Sequence, residues 1–127
     1  WKKVLNMEGN SGPYIQYSVA RTNSVIKKAK DEKQKPQKEV IMEKEEKELL
    51  QTLIHFPEVV FNATQSYSPN LVCNYLYDLA SSYNTFYSKH KILGSETEEF
   101  RVELTSATGQ VLKNGLSLLG IQAPEKM

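Results

Sequence analysis

Four side chains of one segment, Tyr17, Arg21, Ser24 and Lys28, follow one another at spacings of four, three and four. On a helix they form a single stripe. A ring, a guanidinium, a hydroxyl and an ammonium in a row suit a folded RNA, whose bases stack and whose phosphates accept hydrogen bonds. The same stripe would serve to dock on another domain or to face water. A second set lies in NYLYDLASSYNTFYSKHKIL, where four tyrosines and a phenylalanine precede Lys89, His90 and Lys91. Tyr87 stands beside Lys89 and Lys91, where a ring could stack on an unpaired base. Periodicity alone allows it to be core as well.

Little else in the sequence offers chemistry. His55 and His90 are the two imidazoles, and neither sits in a triad motif. Gly9 and Gly12 do not make a phosphate-binding loop. Cys73 is the one cysteine, which excludes an internal disulfide and disfavours a cysteine-rich zinc site. The net charge of +1 sets up no global field for polyanions, so any nucleic-acid affinity must come from a local patch. No apolar run approaches the roughly 18 residues that span a membrane. Asn62-Ala63-Thr64 matches a glycosylation acceptor, but no secretory signal accompanies it, and the match is read as chance. A reducing, cytoplasmic setting is expected. The chain opens on Trp1 rather than Met, which reads as a piece of a longer protein.

These side chains need a scaffold, and its punctuation is helical. Pro13 stands where a first helical residue sits, after Ser11 and Gly12. From there Ile15, Ser18, Val19, Thr22, Val25, Ile26 and Ala29 share a face at 3.6-residue spacing. KDEKQKPQKE, from Lys30, reads as a solvated loop. Met42, Glu46, Leu49, Leu50, Leu53 and Ile54 mark a second helix, within a mixed-charge run from Glu39 to Glu48 that reads as a solvated face. Pro57 restarts the chain for a short helix carrying Val60, Phe61 and Ala63. Ser68-Pro69-Asn70 caps a fourth. On it Val72, Leu76, Leu79, Ala80, Tyr83 and Tyr87 share one face, flanked by Tyr75 and Phe86. Ser95 and Glu98 have the spacing of a capping box for a fifth, with a stripe of Phe100, Leu104, Ala107, Val111, Gly115 and Leu118. Small residues at 107 and 115 would admit a close neighbour. Gly120 stops this helix, with Ile121 folding back and Pro124 preventing continuation. The expectation is an all-α, single helical bundle of about five helices, with residues 1–12 as a lead-in and 13–127 as the bundle.

NMEGNSGPYIQYSVARTNSVIKKA, LYDLASSYNTFY and QVLKNGLSLLGIQAPEKM together resemble the all-helical anticodon-binding (DALR) domain at the C-terminal end of arginyl-tRNA synthetases, from about Asn6 to Met127. The resemblance implies a class I synthetase that joins arginine to tRNA-Arg with ATP and Mg2+, and a catalytic Rossmann domain on the same chain. It also implies that this fragment is non-catalytic and needs no cofactor. Neither the His-Ile-Gly-His-type nor the Lys-Met-Ser-Lys-Ser-type signature is present, and YSKHK is not a version of the second. By the family's pattern Tyr87, Lys91 and Met127 approach the anticodon loop. Tyr83 departs from it, standing where Phe is usual. The partners implied are tRNA-Arg and the Rossmann domain, with no DNA, no membrane and a monomeric fragment. The candidate tRNA-binding residues are Tyr17, Arg21, Ser24, Lys28, Tyr87, Lys89, Lys91 and Met127. The competing reading is a docking bundle that packs on the catalytic domain or a partner protein and touches RNA little.

Overall fold

A computed structural model describes residues 2–31 and 41–120, and the side chains of the first helix from Gly12 to Ala29. Five helices follow in order: α1 (Lys2–Asp31), α2 (Lys44–Ile54), α3 (Phe56–Ser66), α4 (Pro69–Lys89) and α5 (Glu98–Leu118). There is no strand among the described residues. The fourth helix is the hub, packing on each of the other four. The loop from Lys30 to Lys38 lies largely outside the described residues, as do Ile121 and Pro124.

Helix α1 does not start at Pro13. It runs from Lys2 through that proline without a break. A proline inside a helix removes one hydrogen bond and crowds the carbonyl four residues back. Here that residue is Gly9. Past Pro13 the helix is held by burial: Ile15, Ser18, Val19, Thr22, Val25 and Ala29 are all inside.

The core forms where α4 meets its neighbours. Leu76, Leu79, Ala80, Tyr83 and Phe86 of α4 are fully buried, against Leu49 of α2, Leu112 and Leu116 of α5, and Ile15 and Val19 of α1. Ile54, Phe61 and Leu118 were expected in the core and are 66%, 62% and 59% exposed. On α3, Val59 and Phe56 pack inward in place of Phe61. The buried stripe of α5 also differs from the expected one. It comprises Leu104, Thr105, Thr108, Gly109, Leu112, Gly115 and Leu116, while Ala107 is exposed. Thr105 and Thr108 can be buried because their hydroxyls donate to the carbonyls of Arg101 (2.9 Å) and Leu104 (2.7 Å).

Two capping expectations also shift. The Ser95–Glu98 box does not form: Ser95 donates to the Ile92 carbonyl, and Glu98 accepts from the Gly94 N–H at 2.7 Å. Both bonds shape the turn between α4 and α5, where Gly94 has φ of +80°. Ser68 stands at the N-cap of α4, but its hydroxyl turns back to the Ser66 carbonyl. Glu46, expected on a solvated face, is 1% exposed. Its Oε1 accepts from the Glu43 N–H at 3.0 Å and lies 3.4 Å from Nη2 of Arg101. At the other end, Gly120 has φ of +76° and its N–H donates to the Ser117 carbonyl, which ends α5 as expected.

Candidate nucleic-acid interface

Tyr14, Ser18 and Arg21 lie along the face of α1 that runs beside Tyr77, Ser81, Asn84 and Tyr87 of α4. Where α4 ends and α1 runs on past it, a groove of about 1080 Å3 opens. Tyr17, Arg21, Ser24 and Lys28 line it from α1, and Tyr87 and Lys91 from the end of α4 and the turn beyond. Residues 70 positions apart in sequence are thereby gathered on one surface. Lys27, His90 and, from α5, Lys113 join them. Among the described residues five cationic side chains line the groove, Arg21, Lys27, Lys28, Lys91 and Lys113, and no carboxylate does. A chain of net charge +1 has thus concentrated positive charge in one place.

Arg21 is the centre of the groove. Its Nη1 donates to Asn84 Oδ1 at 2.8 Å and its Nη2 to the Tyr17 hydroxyl at 2.7 Å. Its Cζ lies 4.3 Å from the centroid of the Tyr87 ring and 4.9 Å from that of Tyr17. A guanidinium in contact with two rings gains from their quadrupoles and is held in one orientation. The rings remain partly open to solvent, Tyr17 at 47% and Tyr87 at 40%.

One turn earlier on α4, Tyr83 has a different role. It is fully buried, touches the rings of Phe86 and Tyr87, and points its hydroxyl at Thr105 Oγ1, 3.4 Å away. Burial pushes its phenol up to about 12. Tyr83 is core; Tyr87 is at the lip.

The turn that carries Lys91 is pinned from α5. Arg101 Nη1 donates to the Lys91 carbonyl at 2.6 Å, and Ile92 is buried beneath. The Lys91 ammonium arm folds over Gly94, so that a Cβ there would stand 3.2 Å from its Cε and Nζ.

A family model described as the DALR anticodon binding domain matches residues 15–127. The chain belongs to the DALR anticodon-binding domain family. It is 40% identical to an arginine–tRNA ligase of Clostridium botulinum, over 100% of this chain and 23% of that one. It is 43% identical to an arginine–tRNA ligase of Thermococcus kodakarensis, over 100% of this chain and 21% of that one. Among solved structures, the Thermus thermophilus arginyl-tRNA synthetase superposes with a TM-score of 0.83 at 33% identity, covering 95% of this chain and 22% of that one. A putative arginyl-tRNA synthetase of Campylobacter jejuni gives 0.79 at 27% identity, covering 90% and 26%. The chain therefore spans between about a fifth and just over a quarter of the length of these relatives.

The DALR domain does not bring every candidate residue to the groove. Lys89 is not among the lining side chains. It turns toward α2, where its ammonium lies 3.9 Å from Glu45 Oε2. The same carboxylate meets His90 Nε2 at 2.7 Å, so His90 lines the groove with one nitrogen already engaged. That hydrogen bond, helped by the nearby Lys89 charge, holds the Glu45 carboxyl below its ordinary value.

Met127 lies outside the described residues. The expected approach of the tail after Gly120 to the end of α4 lies outside the described residues as well. Gly115 abuts Leu76 and Thr105 meets Tyr83, so α4 and α5 run antiparallel and α5 ends near the start of α4. Tyr87 is about 16 Å along α4 from Leu76, and Gly120 about 7 Å beyond Gly115 in the other direction.

Asn84, Lys27 and Lys113 escaped the sequence reading, and His90 was noted there only as part of the basic cluster after the tyrosines. Asn84 gave a signal: it is a poor helix former in mid-helix, next to Tyr83 and one turn before Tyr87. Lys27 extends the α1 stripe sideways. Lys113 gave none, because only the packing of α5 on α1 brings it near.

Proposed function

We propose that the groove receives the anticodon loop of tRNA-Arg, and that the chain is the tRNA-binding part of a cytoplasmic arginine–tRNA ligase. The single observation that carries this reading is the convergence of Tyr17 and Tyr87 on Arg21 in a groove that four lysines, and no carboxylate, line among the described residues. Partly exposed rings offer stacking at about 1–3 kcal/mol per base. Arg21, Lys28 and Lys91 meet phosphates, and Ser24 supplies a hydroxyl to either. Met127, the remaining candidate, would add an apolar thioether contact in this reading.

The chain itself is monomeric and non-catalytic in this reading. ATP and Mg2+ are not assigned to this chain in this reading: among the described residues the groove has no acid and no cluster of three His, Cys, Asp or Glu could hold a divalent ion. Both belong to a Rossmann domain elsewhere on the parent chain, and arginylation belongs there too. Among the described residues no helix is long and apolar enough to cross a membrane.

The docking alternative has its own surface. Phe56, Pro57, Val60 and Leu118 line a smaller apolar depression beside α3, away from the cationic groove. Docking of the catalytic domain there is compatible with RNA in the groove.

The test is the salt dependence of binding to an anticodon stem-loop, followed by fluorescence anisotropy. Each phosphate contact made to a single strand contributes about 0.7 to the slope of log K against log salt. Arg21→Ala and Lys28→Ala should each weaken binding and lower the slope by roughly that amount. Unchanged slopes in both variants would assign the stripe to domain docking.

A further inference from the structure

Asn84 of α4 links Arg21 to two other polar side chains of α1, Tyr14 and Ser18. Its Oδ1 accepts from Arg21 Nη1 at 2.8 Å. Its Nδ2 donates to the Tyr14 hydroxyl and to Ser18 Oγ, both at 2.9 Å. Ser18 is fully buried and donates its own proton to the Tyr14 carbonyl at 3.0 Å, so it can only accept from Asn84. The Tyr14 hydroxyl in turn points toward Ser81 Oγ at 3.5 Å, and its ring packs on Tyr77. The amide orientation follows from these partners. Reversed, it would set an NH2 against the guanidinium and an oxygen against the Ser18 oxygen, whose proton is committed elsewhere.

We infer that Asn84 is a positioning residue for RNA binding: it fixes the Arg21 guanidinium against the Tyr17 and Tyr87 rings before the ligand arrives. The inference rests on the anticodon-loop reading of the groove. Two of the five N–H donors of Arg21 are engaged by Asn84 and Tyr17, and no hydrogen bond among the described residues takes the others, which can meet phosphate. Arginine is a flexible side chain, and ordering it only on binding costs affinity. The asparagine also does this without cancelling charge. A carboxylate at position 84 would hold Arg21 as firmly but neutralise it.

Two variants separate position from charge. Asn84→Ala releases Arg21 and keeps its charge, so stem-loop binding should weaken about three- to tenfold with the salt slope unchanged. Asn84→Asp keeps Arg21 in place and pairs its charge, so the slope should fall by about one phosphate's worth. In an Arg21→Ala background, Asn84→Ala should cause no further loss. An RNA-independent readout is the Arg21 Nε–Hε resonance of the chain labelled with nitrogen-15. It should be sharp in the wild type and in Asn84→Asp, and exchange-broadened in Asn84→Ala. A sharp, unshifted Arg21 signal in Asn84→Ala, with unchanged stem-loop affinity, would overturn the inference and leave the anticodon-loop reading intact. So would an equal loss of affinity in the Arg21→Ala background, which marks a purely structural asparagine. A wild-type chain that orders Arg21 and ignores the stem-loop would overturn both. Melting curves identify a variant that unfolds, in which case Asn84→Ser, which keeps a short polar side chain, decides on the same readouts.

Discussion

Gly109 is the place where α5 lets α1 come close, and an added methyl there tests whether that approach positions the groove. A Cβ on Gly109 would stand 2.5 Å from Thr22 Oγ1 and 3.2 Å from Thr22 Cβ. Thr22 is fully buried and its hydroxyl donates to the Val19 carbonyl at 2.7 Å. The offending atoms are attached close to the backbone, so no flexible tip can swing away. Relief therefore requires α1 to move or the Val19 bond to break. Overpacking of this kind costs about 1–3 kcal/mol, and a clash with so short a side chain belongs in the upper half of that range. Alanine gains about 1 kcal/mol over glycine in helix propensity. Gly109→Ala should then destabilise by about 1–2 kcal/mol, lowering Tm by roughly 4–8 °C, measured by circular dichroism. Arg21 adjoins Thr22, so a displaced α1 should also weaken stem-loop binding. Combining Gly109→Ala with Thr22→Ala removes the clash, and the double variant should be more stable than the sum of the two losses. A Gly109→Ala protein that melts above the wild type would show that propensity rules this site and that the close approach fixes nothing.

Other perturbations have equally defined outcomes. Tyr83→Ala should destabilise by about 3–5 kcal/mol in a denaturant titration, as a large ring lost from a fully buried site does. Tyr75 and Tyr83 are both pushed up to about 12 from 10 by burial, so the folded state keeps their protons where the unfolded chain loses them. Their contribution is full below pH 10 and is lost as pH rises toward 12; melting curves against pH should show this alkaline loss, and Tyr83→Phe should reduce it. Glu45 shows the opposite sign. Its carboxyl is held below 4.5 chiefly by the His90 hydrogen bond, so its contribution is present above that value and disappears as pH falls through the lowered one. Glu45→Gln should flatten the acid side of the Tm profile, and an unchanged acid side would show that the Glu45–His90 contact is absent in solution.

The helices were legible because their breaks are chemical. Pro57, Pro69 and Gly120 stand at or next to real helix ends, since a missing N–H or a positive φ cannot be hidden inside a regular helix at no cost. Pro13 misled for the opposite reason. Burial of Ile15 and Val19 secures the helix beyond it, and tertiary contacts override a local preference. The stripe of α5 misled because hydrophobicity was the guide. Thr105, Thr108 and Gly109 face inward there, the threonines with their hydroxyls satisfied and the glycine giving room to Thr22. Ala107 and Leu118, better hydrophobes, face out. Glu46 falls on the stripe of Leu49 and Leu53, yet its place in a mixed-charge run made it read as solvated; nothing local shows that Arg101, far away in sequence, will meet it inside.

The groove shows most clearly what sequence spacing can and cannot give. Tyr83 and Tyr87 lie four residues apart, on nearly the same face of α4, and a helical wheel treats them alike. The difference is depth along the axis. Tyr83 is level with Thr105 of α5 and is covered, whereas α4 ends at Lys89, two residues past Tyr87. The last turn of a helix has fewer neighbours above it, so a ring there overhangs the bundle and keeps one part in water. Arg21 then meets that ring because α1 passes beside the same end, with Asn84 one turn below to hold it. The stripe on α1 and the ring on α4 were each ambiguous when read alone. Their meeting, at 4.3 Å and across more than sixty residues of chain, makes core burial untenable for Tyr87 and turns two weak signals into one surface.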